Sequence, residues 1–211
     1  MKISIIIPVY NEENTIIQIL RKVNKQKEFL DLEIIISDDG STDSTKKLLE
    51  SHKNLYDDIY FSETNKGKGS AIINALNLVN GEYILIQDAD LEYDPIDYNK
   101  LIKPIYDDNA DIVYGSRFQG SEPKRVLYFS HRLANFILTL LVNILTNINF
   151  SDVETGYKLV RTSIIKKINL REKSFAFEIE TTMKLAKKKL KFYEVGINYY
   201  GRTYEEGKKI G

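Results

Sequence analysis

The first half of the chain alternates apolar runs with amphipathic stretches, and the alternation is regular. Ile3 to Val9 is an apolar run of the kind expected for a central parallel strand covered on both faces. A helix follows, with Ile16, Leu20 and Val23 at i, i+4 and i+7. Leu32 to Ser37 reads as a second strand, and the helix after it turns Leu48 and Leu49 inward. Asp58 to Ser62 is a weaker third strand. Asn65-Lys66-Gly67-Lys68-Gly69 then opens a helix carrying Ala71, Ile72, Ala75, Leu76 and Val79. The fourth strand contains Ile84, Leu85 and Ile86 and stops abruptly at Asp88. Residues 95–107 form a helix, and Asp111 to Gly115 a fifth strand. Five strand–helix alternations with polar, glycine-rich strand ends predict an α/β fold with an open, mostly parallel sheet.

After Gly115 the regularity lapses. Ser116 to Arg125 is polar loop, 127–146 is a long helix, and 152–157 is a turn leading to a short strand and a helix near 162–168. Ser174 to Lys189 reads as helix, with Phe175, Ile179, Ala186 and Leu190 on one stripe. Phe192 to Tyr199 is a last strand, followed by a polar tail that ends basic. No repeat or linker divides the chain, so 1–211 is read as a single domain.

Composition narrows the chemistry. The 211 residues include no cysteine and two histidines, His52 and His131, which excludes disulfide frameworks and Cys- or His-rich metal sites. Lys and Arg balance Asp and Glu at 30 each, so no net charge draws the protein to nucleic acid. Met1-Lys2 leads straight into a strand, without the pattern of a signal peptide. The stretch from Leu133 to Phe150 is interrupted by four asparagines, and a spanning helix needs about 20 predominantly apolar residues. It reads as a helix that is buried or lies on a membrane surface.

In open α/β sheets, ligands bind outside the carboxyl ends of the strands. The polar clusters at 10–13, 38–43, 65–69 and 88–92 all fall on that side and converge on one crevice. At its centre, Asp88 and Asp90 are two apart at a strand end, so both carboxylates leave the same face and reach one cation, with Glu92 close by. Mg²⁺ and Mn²⁺ favour such oxygen ligands together with substrate phosphates. Asp94-Pro95 is different: it reads as N-cap and first helical residue, with Asp97 at the third. Asp43 reads as a helix cap.

Seven landmarks then resemble the family 2 glycosyltransferases of the GT-A fold, in particular the dolichol- and polyprenyl-phosphate mannose or glucose synthase group. They are Val9-Tyr10-Asn11-Glu12, Asp38-Asp39-Gly40-Ser41-Thr42-Asp43, Asn65 to Gly69, Asp88-Ala89-Asp90-Leu91-Glu92, Gly115-Ser116-Arg117, Glu154-Thr155-Gly156-Tyr157-Lys158 and Gly201-Arg202-Thr203-Tyr204. The resemblance covers the whole chain. It implies a nucleotide-sugar-binding half at 1–116 and an acceptor-binding half at 117–211. It implies a nucleotide site of Pro8, Tyr10, Glu12, Asp39, Lys68, Asp88 and Ala89, and Mg²⁺ or Mn²⁺ held by Asp88, Asp90 and Glu92, where many members carry Gln in place of Glu92. Arg117 and Arg132 would meet the phosphate of a polyprenyl phosphate acceptor, and Arg202 with Lys208 the diphosphate of a UDP- or GDP-hexose. Asp88, Asp90, Arg117 and Arg202 are the implied catalytic set. The implied location is the cytoplasmic face of a membrane, bound peripherally.

No convincing general base stands out. A sugar hydroxyl acceptor requires one, whereas a phosphate monoester, with a second pKa near about 6, is already a dianion near neutral pH. That favours direct displacement with inversion. Glu154 is the candidate base for the competing reading, a transferase acting on a sugar hydroxyl in surface polysaccharide synthesis. A non-catalytic nucleotide-sugar-binding regulator is the third. His131 reads as a helix-surface residue.

Overall fold

The computed structural model describes residues 1–120, 125, 126, 128–174, 176–203, 205 and 206. Among them, seven strands form one sheet in the order β3-β2-β1-β4-β6-β5-β7. The strands are β1 (Ile3–Val9), β2 (Leu32–Asp38), β3 (Asp58–Phe61), β4 (Tyr83–Ile86), β5 (Ile112–Ser116), β6 (Lys158–Arg161) and β7 (Phe192–Gly196). All neighbouring pairs are parallel except those of β6, which runs antiparallel to both β4 and β5. The helices are α1 (Ile16–Gln26), α2 (Thr45–Ser51), α3 (Lys68–Ala75), α4 (Tyr98–Asp108), α5 (Phe129–Thr146), α6 (Thr162–Ile165) and α7 (Phe177–Ala186).

β1 lies between β2 and β4, with Ile5 opposite Ile34 on one side and Leu85 on the other. Covered on both faces, it has no use for polar alternation. Ile3, Ile5, Ile7 and Val9 pack with Ile16, Leu20 and Val23 of α1 and Leu101 of α4, while Ile6 turns to Ile72 and Ala75 of α3 on the other face. The strand order reverses at β1, since β2 and β3 extend one way and β4 the other. That switch point puts Pro8-Val9-Tyr10 and Asp88-Ala89-Asp90 at the mouth of one crevice.

Several boundaries differ from the sequence expectation. The strand expected to run to Tyr199 ends at Gly196, with Tyr199 making only an isolated antiparallel bridge to Tyr93, and the helix expected from Ser174 to Lys189 is confined to Phe177–Ala186. Phe175 lies outside the described residues. Asp94 caps as expected, accepting from the Ile96 amide at 3.1 Å, but Pro95–Asp97 forms a 3-10 turn before α4 begins. Asp43 accepts from the Thr45 amide at 2.9 Å, at the entrance to α2.

The 127–146 stretch was open between core and surface, and the structure decides for surface. α5 buries only Asn135, Thr139 and Val142, one i, i+4, i+7 stripe. Phe129, Phe136, Leu141, Ile144 and Leu145 are all more than half exposed. The helix has 18 residues, 17% of them buried, and its length and hydropathy would suit a membrane span. At 1.5 Å per residue it is about 27 Å long, slightly short of a bilayer's hydrocarbon core. Its polar stripe is fastened along the domain, where Asn143 exchanges two hydrogen bonds with the Phe150 backbone.

One buried acid serves the fold. Glu33 on β2 accepts from Ser4 Oγ (2.6 Å), the Asn80 amide (2.9 Å), Asn80 Nδ2 (2.8 Å) and Lys2 Nζ (3.1 Å). Burial alone would push its carboxyl up, but these bonds outweigh burial and hold it at about 2, against 4.5 for a free side chain. The difference corresponds to about 3 kcal/mol of stability, fully present above pH 4.5 and lost as pH falls towards 2. Urea unfolding of Glu33→Gln should show most of that loss at pH 7 and a flatter acid limb.

Candidate active site

The crevice is built from its floor upward. β4 delivers Asp88 at its end, and the turn that follows carries Leu91 at φ 67°, a left-handed conformation that costs a leucine of the order of 1–2 kcal/mol. The twist sends Asp90 and Glu92 toward the segment after β7. That segment is itself anchored. Asp97 accepts from the Asn198 amide (2.6 Å) and Nδ2 (3.0 Å), and the Glu92 carbonyl accepts from the Tyr200 amide (2.8 Å). Arg202 then pairs through Nη2 with Asp90 Oδ2 (2.8 Å) and through Nε with Glu92 Oε1 (3.2 Å), while the Tyr199 hydroxyl donates to Glu92 Oε2 (2.7 Å).

Asp88, expected to share a face with Asp90, is held by different partners, although its charge still acts on Asp90. Its Oδ1 meets Lys68 Nζ at 2.8 Å, and Lys68 also reaches Glu178 Oε1 on α7 at 2.9 Å. Its Oδ2 lies where Gly156 leaves room: a Cβ built at 156 would stand 2.4 Å from it. Opposite, Arg117 at the end of β5 forks onto buried Asp152, Nε to Oδ2 at 2.7 Å and Nη2 to Oδ1 at 2.8 Å. Burial would raise Asp152, but the guanidinium holds it below the usual carboxylate range. The guanidinium of Arg132 on α5 lies 3.6 Å from the centroid of the Phe118 ring, and that of Arg117 lies 5.5 Å from the same centroid. One aromatic side chain therefore brings the two arginines together.

The elements so anchored enclose a cavity of about 1150 Å³. Pro8, Tyr10, Glu12, Asp39, Lys68, Asp88, Ala89, Asp90, Glu92, Arg117, Arg132 and Arg202 line it, as do His131 and Glu154. Lys208 lies outside the described residues. Besides Arg117 on Asp152, Arg202 on Asp90 and Asp88 on Lys68, two more side chains expected to meet a ligand are engaged within the protein. Asp39 turns its carboxylate to the amides of Lys66 (3.0 Å) and Gly67 (2.6 Å), which fixes the loop before α3. Glu92 is engaged by Tyr199 and Arg202.

The electrostatics of the acid corner are unbalanced. Burial first, then the charges of Asp88 and Glu92, push Asp90 up to about 7 despite Arg202. Added positive charge would relieve that strain. Among the described residues no three acidic or histidine side chains are gathered at metal-binding spacing. A cation here would take one or two carboxylates from the protein and its remaining ligands from phosphate and water, as Mg²⁺ commonly does. The donor set is all oxygen, and it fits that ion type.

Several residues escaped the sequence reading. Asp152 lay in a recognised turn but had no assigned partner. Glu178 carried a usable signal, an acid within the buried stripe of α7 beside Phe177, Thr181 and Leu185. Lys158 was hidden by its own strand. Its ammonium is fully buried, donates to the carbonyls of Val153 (2.8 Å) and Thr155 (2.6 Å), and is lowered by burial to about 8.

The fold and the cavity at its switch point define an α/β enzyme of the GT-A type. Residues 4–169 match the family described as glycosyl transferase family 2, and the chain belongs to that family: it is a glycosyltransferase. It is 31% identical to an uncharacterized protein of Methanocaldococcus jannaschii, over 97% of this chain and 93% of the other. It is 27% identical to the dolichol-phosphate mannosyltransferase of Pyrococcus furiosus, over 100% of this chain but only 61% of that protein's length. Among solved structures, glucosyl-3-phosphoglycerate synthase of Mycobacterium tuberculosis, in complex with Mn²⁺, UDP and glucosyl-3-phosphoglycerate, superposes with a TM-score of 0.71. It is 19% identical, covering 97% of this chain and 74% of that one.

Proposed function

We propose that this chain is a metal-dependent, inverting hexosyltransferase that moves a sugar from a UDP- or GDP-hexose to a polyprenyl phosphate at a membrane surface. The observation that carries the reading is the layout of the cavity. An acid corner lies on one side, paired arginines on the other, and the arginine side opens beside the exposed apolar face of α5 through Val126, Phe129 and Leu138. A polar headgroup on a long hydrocarbon needs that combination. The similarity to a dolichol-phosphate mannosyltransferase supports it.

In this reading Tyr10 offers a stacking face to the base, and Glu12 accepts from ribose hydroxyls. Asp88 and Asp90 would hold Mg²⁺ or Mn²⁺, which would supply neutralisation of charge on the departing diphosphate. Arg202 leaves Asp90 for the diphosphate, and its planar fork suits two phosphate oxygens. Arg117, locked by Asp152, and Arg132, seated on Phe118, fix the acceptor phosphate. An acceptor oxygen then attacks the anomeric carbon as the bond to the nucleoside diphosphate breaks, and the electron pair leaves with the diphosphate. The dianionic acceptor has no proton to lose, so positioning and electrostatics supply the rate.

Purified protein given Mn²⁺, labelled UDP-glucose or GDP-mannose, and polyprenyl phosphate in vesicles should yield an organic-soluble sugar released by mild acid. An acid-stable glycan linkage would instead favour the hydroxyl-acceptor reading. Glu154 supports that second reading, because burial first and Glu178 next raise its carboxyl and make it a stronger base. Arg132→Ala should raise the acceptor KM about tenfold and leave the donor KM unchanged in steady-state assays, since only a stacked, solvent-facing guanidinium is lost.

A further inference from the structure

The turn that carries Asp88 and Asp90 is closed from beneath by one buried amide. Gln87 is fully buried. Its Nε2 donates to the Asp88 carbonyl at 2.9 Å and makes a longer contact of 3.5 Å with the Tyr93 carbonyl. Those carbonyls belong to the first residue of the acid turn and to the residue just past Glu92, so a single NH₂ group draws the two ends of the turn together. Its Oε1 accepts from the hydroxyls of Tyr98 (2.8 Å) and Tyr157 (2.6 Å). Both lone pairs and both N–H bonds are used, which is the full capacity of the side chain.

The second half of the tie reaches across the site. Tyr157 belongs to the turn that also bears Asp152, the partner of Arg117. Tyr93 packs against Tyr157 with ring centroids 4.8 Å apart and the ring planes tilted by 36°, and its hydroxyl accepts from the Gly156 amide at 2.9 Å. A hydrocarbon of similar size would fill the same space without burying four polar contacts, and buried polar groups are costly unless fully partnered. What the amide adds is a fixed mouth for the acid turn.

We propose that Gln87 is a positioning residue for the divalent cation: it sets the separation of the Asp88 and Asp90 carboxylates by clasping the ends of their turn, and it acts through those residues without touching the ion. This rests on the metal-dependent reading given above. Outer partners of metal ligands commonly contribute about 10–100-fold to metal affinity.

The test compares Gln87→Met, which keeps length and volume but loses all four contacts, with Tyr98→Phe. The latter removes one donor to the same Oε1 and leaves the clasp on Asp88 and Tyr93 intact. Mn²⁺ is titrated calorimetrically in the presence of UDP or GDP, and thermal unfolding is followed alongside. Gln87→Met should bind Mn²⁺ at least about tenfold more weakly. Tyr98→Phe should lose thermal stability but keep wild-type Mn²⁺ affinity. Should Gln87→Met fail to fold, Gln87→Asn, whose shortened amide cannot span the same turn, should show the same loss. Wild-type affinity in a folded Gln87 variant overturns the inference, and so does an affinity loss in Tyr98→Phe equal to that in Gln87→Met. A wild-type protein that binds no Mn²⁺ with either nucleotide overturns the metal-dependent reading itself, which is a distinct result.

Discussion

Asp90→Ala is expected to lower kcat/KM about 10³-fold or more and to abolish the rise in melting temperature expected from Mn²⁺ and nucleotide together. The size follows from where the charge develops. In the proposed reading the leaving diphosphate would gather negative charge beside a corner already crowded with carboxylates, and a bound cation would turn that crowding into attraction. A 10³-fold loss corresponds to about 4 kcal/mol of transition-state stabilisation. The pH dependence has a definite sign. Asp90 in the metal-free protein titrates at about 7, above its ordinary 3.8, so the folded state binds the extra proton between those values. Without metal, stability therefore falls as pH rises from about 4 to about 7, by an amount on the order of a few kcal/mol. Mn²⁺ must displace that proton, so its stabilising effect should be small at pH 5.5 and grow through pH 7. A thermal-shift series with and without Mn²⁺ over that range reads the difference. Equal metal effects at pH 5.5 and pH 8 would contradict the assignment.

Arg117→Ala is expected to damage both fold and function, and a second substitution separates the two. Asp152 is fully buried, and Arg117 supplies its fork, with Asn135 Nδ2 adding one bond at 3.0 Å. Removing the guanidinium strands a buried carboxylate, which typically costs about 3–5 kcal/mol. Denaturant unfolding should show that loss in Arg117→Ala. Adding Asp152→Asn removes the stranded charge and should restore part of the stability, because the asparagine still meets Asn135. On the proposed reading it should restore no transfer, since the acceptor phosphate would still lack its arginine. Recovery of transfer in the double variant would mean that Arg117 serves only to neutralise Asp152.

The legible parts of this protein were those whose physics is local. β1, β2 and β4 announce themselves as apolar runs because they are covered on both faces, and the turn from Asp88 to Glu92 stands out because acids end such a run. The pairing of Asp94 with Pro95 is a cap in sequence and in space. What could not be read depends on residues far apart in the chain. β6 is the short strand expected after the 152–157 turn, but with four residues, a lysine and an arginine among them, its pattern does not announce that it inserts antiparallel between β4 and β5. Glu178 meets Lys68, and Asp152 meets Arg117 and Asn135, only once the sheet has closed. α5 was ambiguous for another reason. Its sequence is apolar nearly all round, and only the packing of Asn135, Thr139 and Val142 shows which narrow stripe faces the domain.

Asp88 and Asp90 either hold a divalent ion against a nucleoside diphosphate or they do not, and anomalous scattering from crystals grown with Mn²⁺ and UDP or GDP decides it. The expected map has a manganese peak bound to Asp90 or Asp88 and to the diphosphate, with Arg202 turned from Asp90 onto a phosphate oxygen. A nucleotide bound elsewhere, or bound here with no manganese and Arg202 still on Asp90, would contradict it.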